Sequence, residues 1–217
     1  EPEPPAPVTE PEKTFEEVLD EHPVSIQVNG QWQTFPNARA AEEAAYGEYK
    51  DNLRRTAENF RITDDHLGEG GPKAKFQANI AAIKLLKYLE ETTEQATPEQ
   101  QEILSRYVGW GGLADAFDPE KPAWASEYAQ LKELLTPEEY AAARSSTLNA
   151  HYTSPTVIQS IYEAVGRMGF ETGNILEPSM GVGNFFGMLP EEMRNSRLYG
   201  VELDPVSGRI AKQLYPK

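Results

Sequence analysis

Residues 174–214 switch between two kinds of local order in a sequence that few folds accommodate. An apolar run, Ile175-Leu176, leads into Glu177-Pro178-Ser179-Met180-Gly181-Val182-Gly183, and a short helical stretch follows around Phe185–Leu189. Leu198-Tyr199-Gly200-Val201-Glu202 reads as a second strand, and Pro205 opens a helix through about Leu214. An amphipathic helix from Thr156 to about Met168 precedes the set. Strand, helix, strand, helix at this spacing predicts the α/β class, as the start of a parallel, doubly wound sheet. In such sheets a ligand crevice opens at the carboxyl ends of the strands, where the glycine turn falls.

Gly181 and Gly183 carry no Cβ, so the backbone between them can bend sharply and lie against a ligand. Glu202 stands 19 residues beyond Gly183, at the end of the next strand. An acid there can accept hydrogen bonds from both hydroxyls of a ribose, which points to an adenosine-containing cofactor. The alternative is an ordinary strand–helix turn with a solvated glutamate. A dinucleotide fits less well, because its fingerprint is G-x-G-x-x-G and the third glycine here, Gly187, comes one residue late. Phe185 and Phe186 also occupy the first helical turn, where a pyrophosphate needs close backbone approach.

Glu177-Pro178-Ser179-Met180-Gly181-Val182-Gly183-Asn184-Phe185 resembles motif I of the N6-adenine DNA methyltransferases, of the form (D/E)-P-(S/A)-x-G-x-G-x-F. His151-Tyr152-Thr153-Ser154-Pro155 resembles the family's motif X, usually Tyr/Phe-Thr-Pro, with Ser154 inserted before Pro155. Motif X just ahead of motif I is the order of the gamma group and of type I modification subunits. The resemblance implies a Rossmann-like methyltransferase domain that binds S-adenosylmethionine. On that comparison the cofactor residues are Tyr152, Thr153, Ser154, Pro155, Glu177, Pro178, Ser179, Gly181, Gly183, Asn184, Phe185, Glu202 and Leu203, with Glu202 on the ribose and motif X at the methionine end. The phrases Gly68–Phe76 and Tyr107-Val108-Gly109-Trp110-Gly111-Gly112-Leu113 further resemble the leader of large methylase–helicase fusions of bacterial conjugative elements and phages. That likeness covers roughly residues 60–217 and implies a helicase domain downstream, DNA as a partner through the longer protein, and a bacterial cytoplasmic location.

The family's catalytic phrase, Asn/Asp-Pro-Pro-Tyr/Phe, positions the target amine of a flipped base against the methyl group. It does not occur here, so no catalytic residue is assigned to this chain and the expected role is half a site. Two other functions stay open: a non-catalytic methyltransferase-like platform for DNA binding or scaffolding, and, less favoured by the glycine spacing, an NAD-dependent oxidoreductase.

Ahead of residue 149 the chain divides further. Residues 1–22 hold eight acids and one base, are rich in Pro and Glu, and are expected to form a linker, which suggests a piece of something longer. In residues 23–59, Val24–Val28 and Gln31–Phe35 alternate in period two around Asn29-Gly30, a β-hairpin signal, and Asn37 caps a helix from Ala38 to about Asn59. Residues 60–148 form a mainly helical leader. Phe76, Ile80, Ile83, Leu86 and Leu89 make one apolar stripe from Lys73 to about Glu91, and Thr97-Pro98 and Thr136-Pro137 each start a helix. Gly68–Gly71 lacks the phosphate-loop spacing and is expected to be a structural loop, while Trp110 is expected over the sheet edge or the cofactor entrance. His151 is expected to bond locally. For Tyr152, packing and stacking on the cofactor remain equal alternatives, and Phe185 and Phe186 are read as core residues of which one also faces the pocket.

A net charge of −15 argues against a large phosphate-binding surface on this piece. The absence of cysteine excludes disulfides and thiolate zinc sites, and His22, His66 and His151 show no ligand spacing, so no metal is expected. No apolar run approaches membrane-spanning length.

Overall fold

The computed structural model describes Thr14, residues 21–64 and residues 66–217. The expected linker therefore lies outside the described residues, apart from Thr14, Glu21 and His22. The chain divides into two compact units, Glu1–Arg55 and Thr56–Lys217.

In the smaller unit, β1 (Val24–Val28) pairs antiparallel with β2 (Gln31–Phe35), with Val24 opposite Phe35 and Val28 opposite Gln31. Asn29 (φ 51°) and Gly30 (φ 74°) both take positive φ, as the two-residue turn matching strand twist requires. Ser25 and Thr34 share a hydroxyl–hydroxyl bond of 2.8 Å across the pair. Helix α1 (Ala38–Thr56) starts where Asn37 Oδ1 accepts from the Ala40 N–H at 2.9 Å. It ends three residues short of the expected Asn59, and Ala41 is its one fully buried residue.

The larger unit is mixed α/β. Helix α2 (Pro72–Thr92) buries the whole predicted stripe, with Ile83, Leu86 and Leu89 at 0% exposure. Each such side chain contributes about 1.5–3 kcal/mol by leaving water. The helix stops at Thr93, which adopts a left-handed φ of 57°. Helices α3 (Pro98–Ser105) and α5 (Pro137–Ser146) both begin in a capping box, Thr97 with Gln100 and Thr136 with Glu139, and α4 (Ala125–Leu134) lies between them. Then follow α6 (Pro155–Arg167), β3 (Asn174–Glu177), the short α7 (Asn184–Gly187), β4 (Arg197–Gly200) and α8 (Pro205–Leu214). β3 and β4 pair in parallel, with Asn174 beside Arg197 and Glu177 beside Gly200.

One main core joins the helical region to the last helix. Val206, Ile210 and Leu214 of α8 pack into the same cluster as Phe76, Leu86, Leu104 and Leu131. A second cluster, Ile158, Tyr162, Leu189 and Met193, seats α6 against Ile175 and Leu198 on one sheet face. On the other side Leu176 and Tyr199 are exposed.

Trp110 departs from the sequence expectation. It lies in the main core at 1% exposure, edge-to-face with Phe117 at 5.3 Å and with Phe76 and Tyr107 at 6.0 and 6.3 Å, instead of over the sheet edge or the cavity mouth. A large aromatic gains most where other rings surround it, and the flanking glycines let the loop dip far enough to bury it. The Gly68–Gly71 loop leads into α2, and Lys73 is committed to the Glu127 carboxylate (2.6 Å) and the Trp124 ring (4.0 Å).

Candidate functional site

The chain leaves β3 at Glu177 and turns back on itself. Val201 N–H donates to the Glu177 carbonyl (2.9 Å), Met180 N–H to Val201 O (3.0 Å), and Gly183 N–H to Met180 O (2.8 Å). Gly181 takes φ +57°, and a Cβ there would stand 2.7 Å from the Tyr152 ring, so the turn needs glycine for both conformation and space. The same ring would lie 2.7 Å from a Cβ on Gly109, at φ +68°.

Glu202 sits just past β4. One carboxylate oxygen accepts from Gly181 N–H at 2.7 Å and the other from Asp204 N–H at 2.8 Å. Asp204 in turn caps α8, its Oδ2 accepting from Ser207 N–H (2.7 Å) and Ser207 Oγ–H (2.6 Å). With the Ser207 proton spent on Asp204, the Tyr152 hydroxyl donates to Ser207 Oγ at 3.2 Å. Burial pushes the Tyr152 phenol well above its ordinary range. Tyr107 is raised likewise, first by burial and then by the charge of Asp204. Its hydroxyl and Asp204 Oδ1 are buried with no hydrogen-bond partner among the described residues.

These groups wall a cavity of about 550 Å³ at the carboxyl ends of β3 and β4, a size suited to a small organic ligand. Nine of the residues picked out from sequence line it: Tyr152, Thr153, Glu177, Ser179, Gly181, Asn184, Phe185, Glu202 and Leu203. Ser154 and Pro155 do not, since they form the N-cap and first turn of α6. Pro178 is exposed beside the turn, and Gly183 faces the Tyr215 ring, 2.5 Å from where a Cβ would be. Phe185 divides its surface between the cavity and Tyr162, while Phe186 is buried against Tyr215. Tyr162 donates to Phe185 O at 2.8 Å, and burial pushes its phenol up to about 12. His151 bonds locally through Nε2, 3.2 Å from Leu148 O.

Sequence reasoning missed the wall supplied by the helical region, which includes Tyr107, Gly109, Ala142, Ser145 and Ser146. The glycines of 107–113 flagged the loop, but nothing local told which surface it would meet. The charge of the lining is one-sided. Glu177, Glu202 and Asp204 are among the lining residues, and among the described residues no lysine or arginine is. Among the described residues no cluster of His, Asp and Glu is arranged to hold a metal ion, and no helix is long and apolar enough to cross a membrane.

No protein-family model matches the chain, and no solved structure matches it. Two known proteins are similar to it in part. Over 150 residues, 69% of this chain, it is 28% identical to the Defense against restriction protein B of Escherichia phage P1, where the match spans 5% of that protein. Over 61 residues, 28% of this chain, it is 38% identical to the Type II methyltransferase M.CvrRI of Paramecium bursaria Chlorella virus XZ-6E, 16% of that protein. The chain thus matches a small fraction of each relative's length, and one of the two is a methyltransferase.

Proposed function

We propose that this chain is the S-adenosylmethionine-binding part of a DNA adenine-N6 methyltransferase, within a longer DNA-processing protein that also carries a helicase and works in the bacterial cytoplasm. The observation that carries the reading is the cavity itself. A glycine turn is tied to the acid after the next strand, and acidic residues line the space with no lysine or arginine among the described lining residues. Such a lining favours a ligand bearing positive charge and opposes a pyrophosphate, which supports a sulfonium cofactor over a dinucleotide.

The residues fit that group. Each Glu202 oxygen accepts one backbone N–H and keeps a lone pair for a ribose hydroxyl. Leu203, 96% exposed beside it, offers an apolar surface to the adenine. Thr153 belongs to the motif assigned to the methionine end, and Glu177 lines the same cavity. Bound there, the cofactor supplies an electrophilic methyl group, and the chain's own residues orient it. The similarity to a type II methyltransferase supports methyl transfer as the chemistry.

Titration calorimetry with S-adenosylmethionine and NAD tests the site. Binding of the former alone is expected, and preferential NAD binding would overturn the assignment. For the whole protein, transfer of labelled methyl groups to adenine in DNA is expected. Cofactor binding without transfer would instead favour a non-catalytic recognition platform.

A further inference from the structure

We propose that the leader stretch Tyr107–Gly111 is a working part of the cavity, positioning the glycine turn at Gly181 through the ring of Tyr152. The stretch is held from behind. Asn79, at 0% exposure, donates to Gly109 O (2.6 Å) and accepts from Val108 N–H (2.9 Å), so both edges of its amide are used on the loop backbone. Gly111 lies against the segment that carries Tyr152, close enough that a Cβ would stand 2.1 Å from Ala150 O.

Tyr152 is then confined on three sides. Its ring lies between Gly109 and Gly181, each leaving it the space that a Cβ would take, and its hydroxyl is tied to Ser207 on α8. Gly109 meets the Cε2 edge of the ring and Gly181 the opposite Cε1 edge, so although one side of the ring borders the cavity, a push from Gly109 is directed onto the turn. Movement of the leader loop must reach the turn, and the turn amide of Gly181 is bonded to Glu202. Tyr152 and Gly109 are therefore positioning residues for the acid and the turn together. The consequence for a ligand rests on the cofactor reading given above, whereas the consequence for the turn does not.

Two glycine substitutions in the full chain separate this from a general structural effect. Gly109 (φ +68°) and Gly112 (φ +75°) share the left-handed conformation, but a Cβ on Gly112 meets nothing within 4 Å. Gly109→Ala and Gly112→Ala should therefore lower thermal stability alike through backbone strain, while Gly109→Ala alone also pushes on Tyr152. Hydrogen–deuterium exchange of residues 180–183 is expected to rise at least tenfold in Gly109→Ala and to stay within twofold in Gly112→Ala. Calorimetry should show a matching tenfold loss of S-adenosylmethionine affinity in the first variant only. Equal behaviour of the two variants, or wild-type exchange at the turn in Gly109→Ala, would overturn the proposal. If wild type binds no S-adenosylmethionine, the cofactor reading fails while the exchange data still judge the positioning. Should Gly109→Ala not fold, Tyr152→Leu answers by the same readout, since it removes the ring and keeps both glycines: a turn as protected as wild type refutes the role.

Discussion

Glu202 shows how much one carboxylate is asked to do in this molecule. It links the glycine turn to the start of α8 through Gly181 N–H and Asp204 N–H, and it faces the cavity with its remaining lone pairs. A glutamine at this position has one oxygen and must turn an N–H₂ group toward a backbone N–H. Hydrogen bonds to charged groups are worth about 1.5–3 kcal/mol, so Glu202→Gln is expected to weaken S-adenosylmethionine binding about 10- to 100-fold by calorimetry. Much at this scale was legible. The turn and the acid were legible from spacing, motif X from its resemblance to the methyltransferase phrase, and most of those residues line one cavity. Trp110 and Tyr107 were not, because what decides their place is a contact with residues far along the chain, and such contacts leave no periodic trace in sequence. Ser154, which interrupts the motif, takes the N-cap position of α6 without a side-chain capping bond.

The elements of the larger unit announce themselves through their ends. Thr97 Oγ1 accepts from Gln100 N–H at 3.3 Å, and the Gln100 side chain accepts from Thr97 N–H at 2.9 Å. Pro98 follows at the first helical position, where its missing N–H is harmless. Thr97→Ala removes the forward bond and should cost about 1 kcal/mol, seen as a lower urea midpoint with an unchanged slope. The same local chemistry explains why the hairpin at Asn29-Gly30 and the start of α5 could be read in advance. The packing of α8 could not be read. Its apolar face, Val206, Ile210 and Leu214, would suit a sheet as well as the helical cluster it joins.

Across the whole of the larger unit, Glu139 ties three helices that are distant in sequence. Its carboxylate, 5% exposed on α5, accepts from Lys87 of α2 at 2.9 Å and pairs with Arg209 of α8. Burial alone would raise its pKa, but Lys87, the Thr136 N–H and Arg209 outweigh burial and hold it below the ordinary value. A depressed folded-state pKa stabilises above the unfolded value, about 4.3 for glutamate, and is lost as pH falls through the folded one. Thermal melts should therefore show an acid limb below about pH 4.3 that Glu139→Gln flattens. Long-range closure also bears on how the molecule is made. Asn59 and Lys217 exchange two hydrogen bonds across 158 residues, and Phe60 N–H donates to Leu214 O beside them. Ribosomes add about 5–20 residues per second, so the core cluster that α2 begins is completed by α8 only on the order of ten seconds later. During synthesis the leader therefore leaves the part of its core that α8 fills open to water before it can serve as a wall of the cavity.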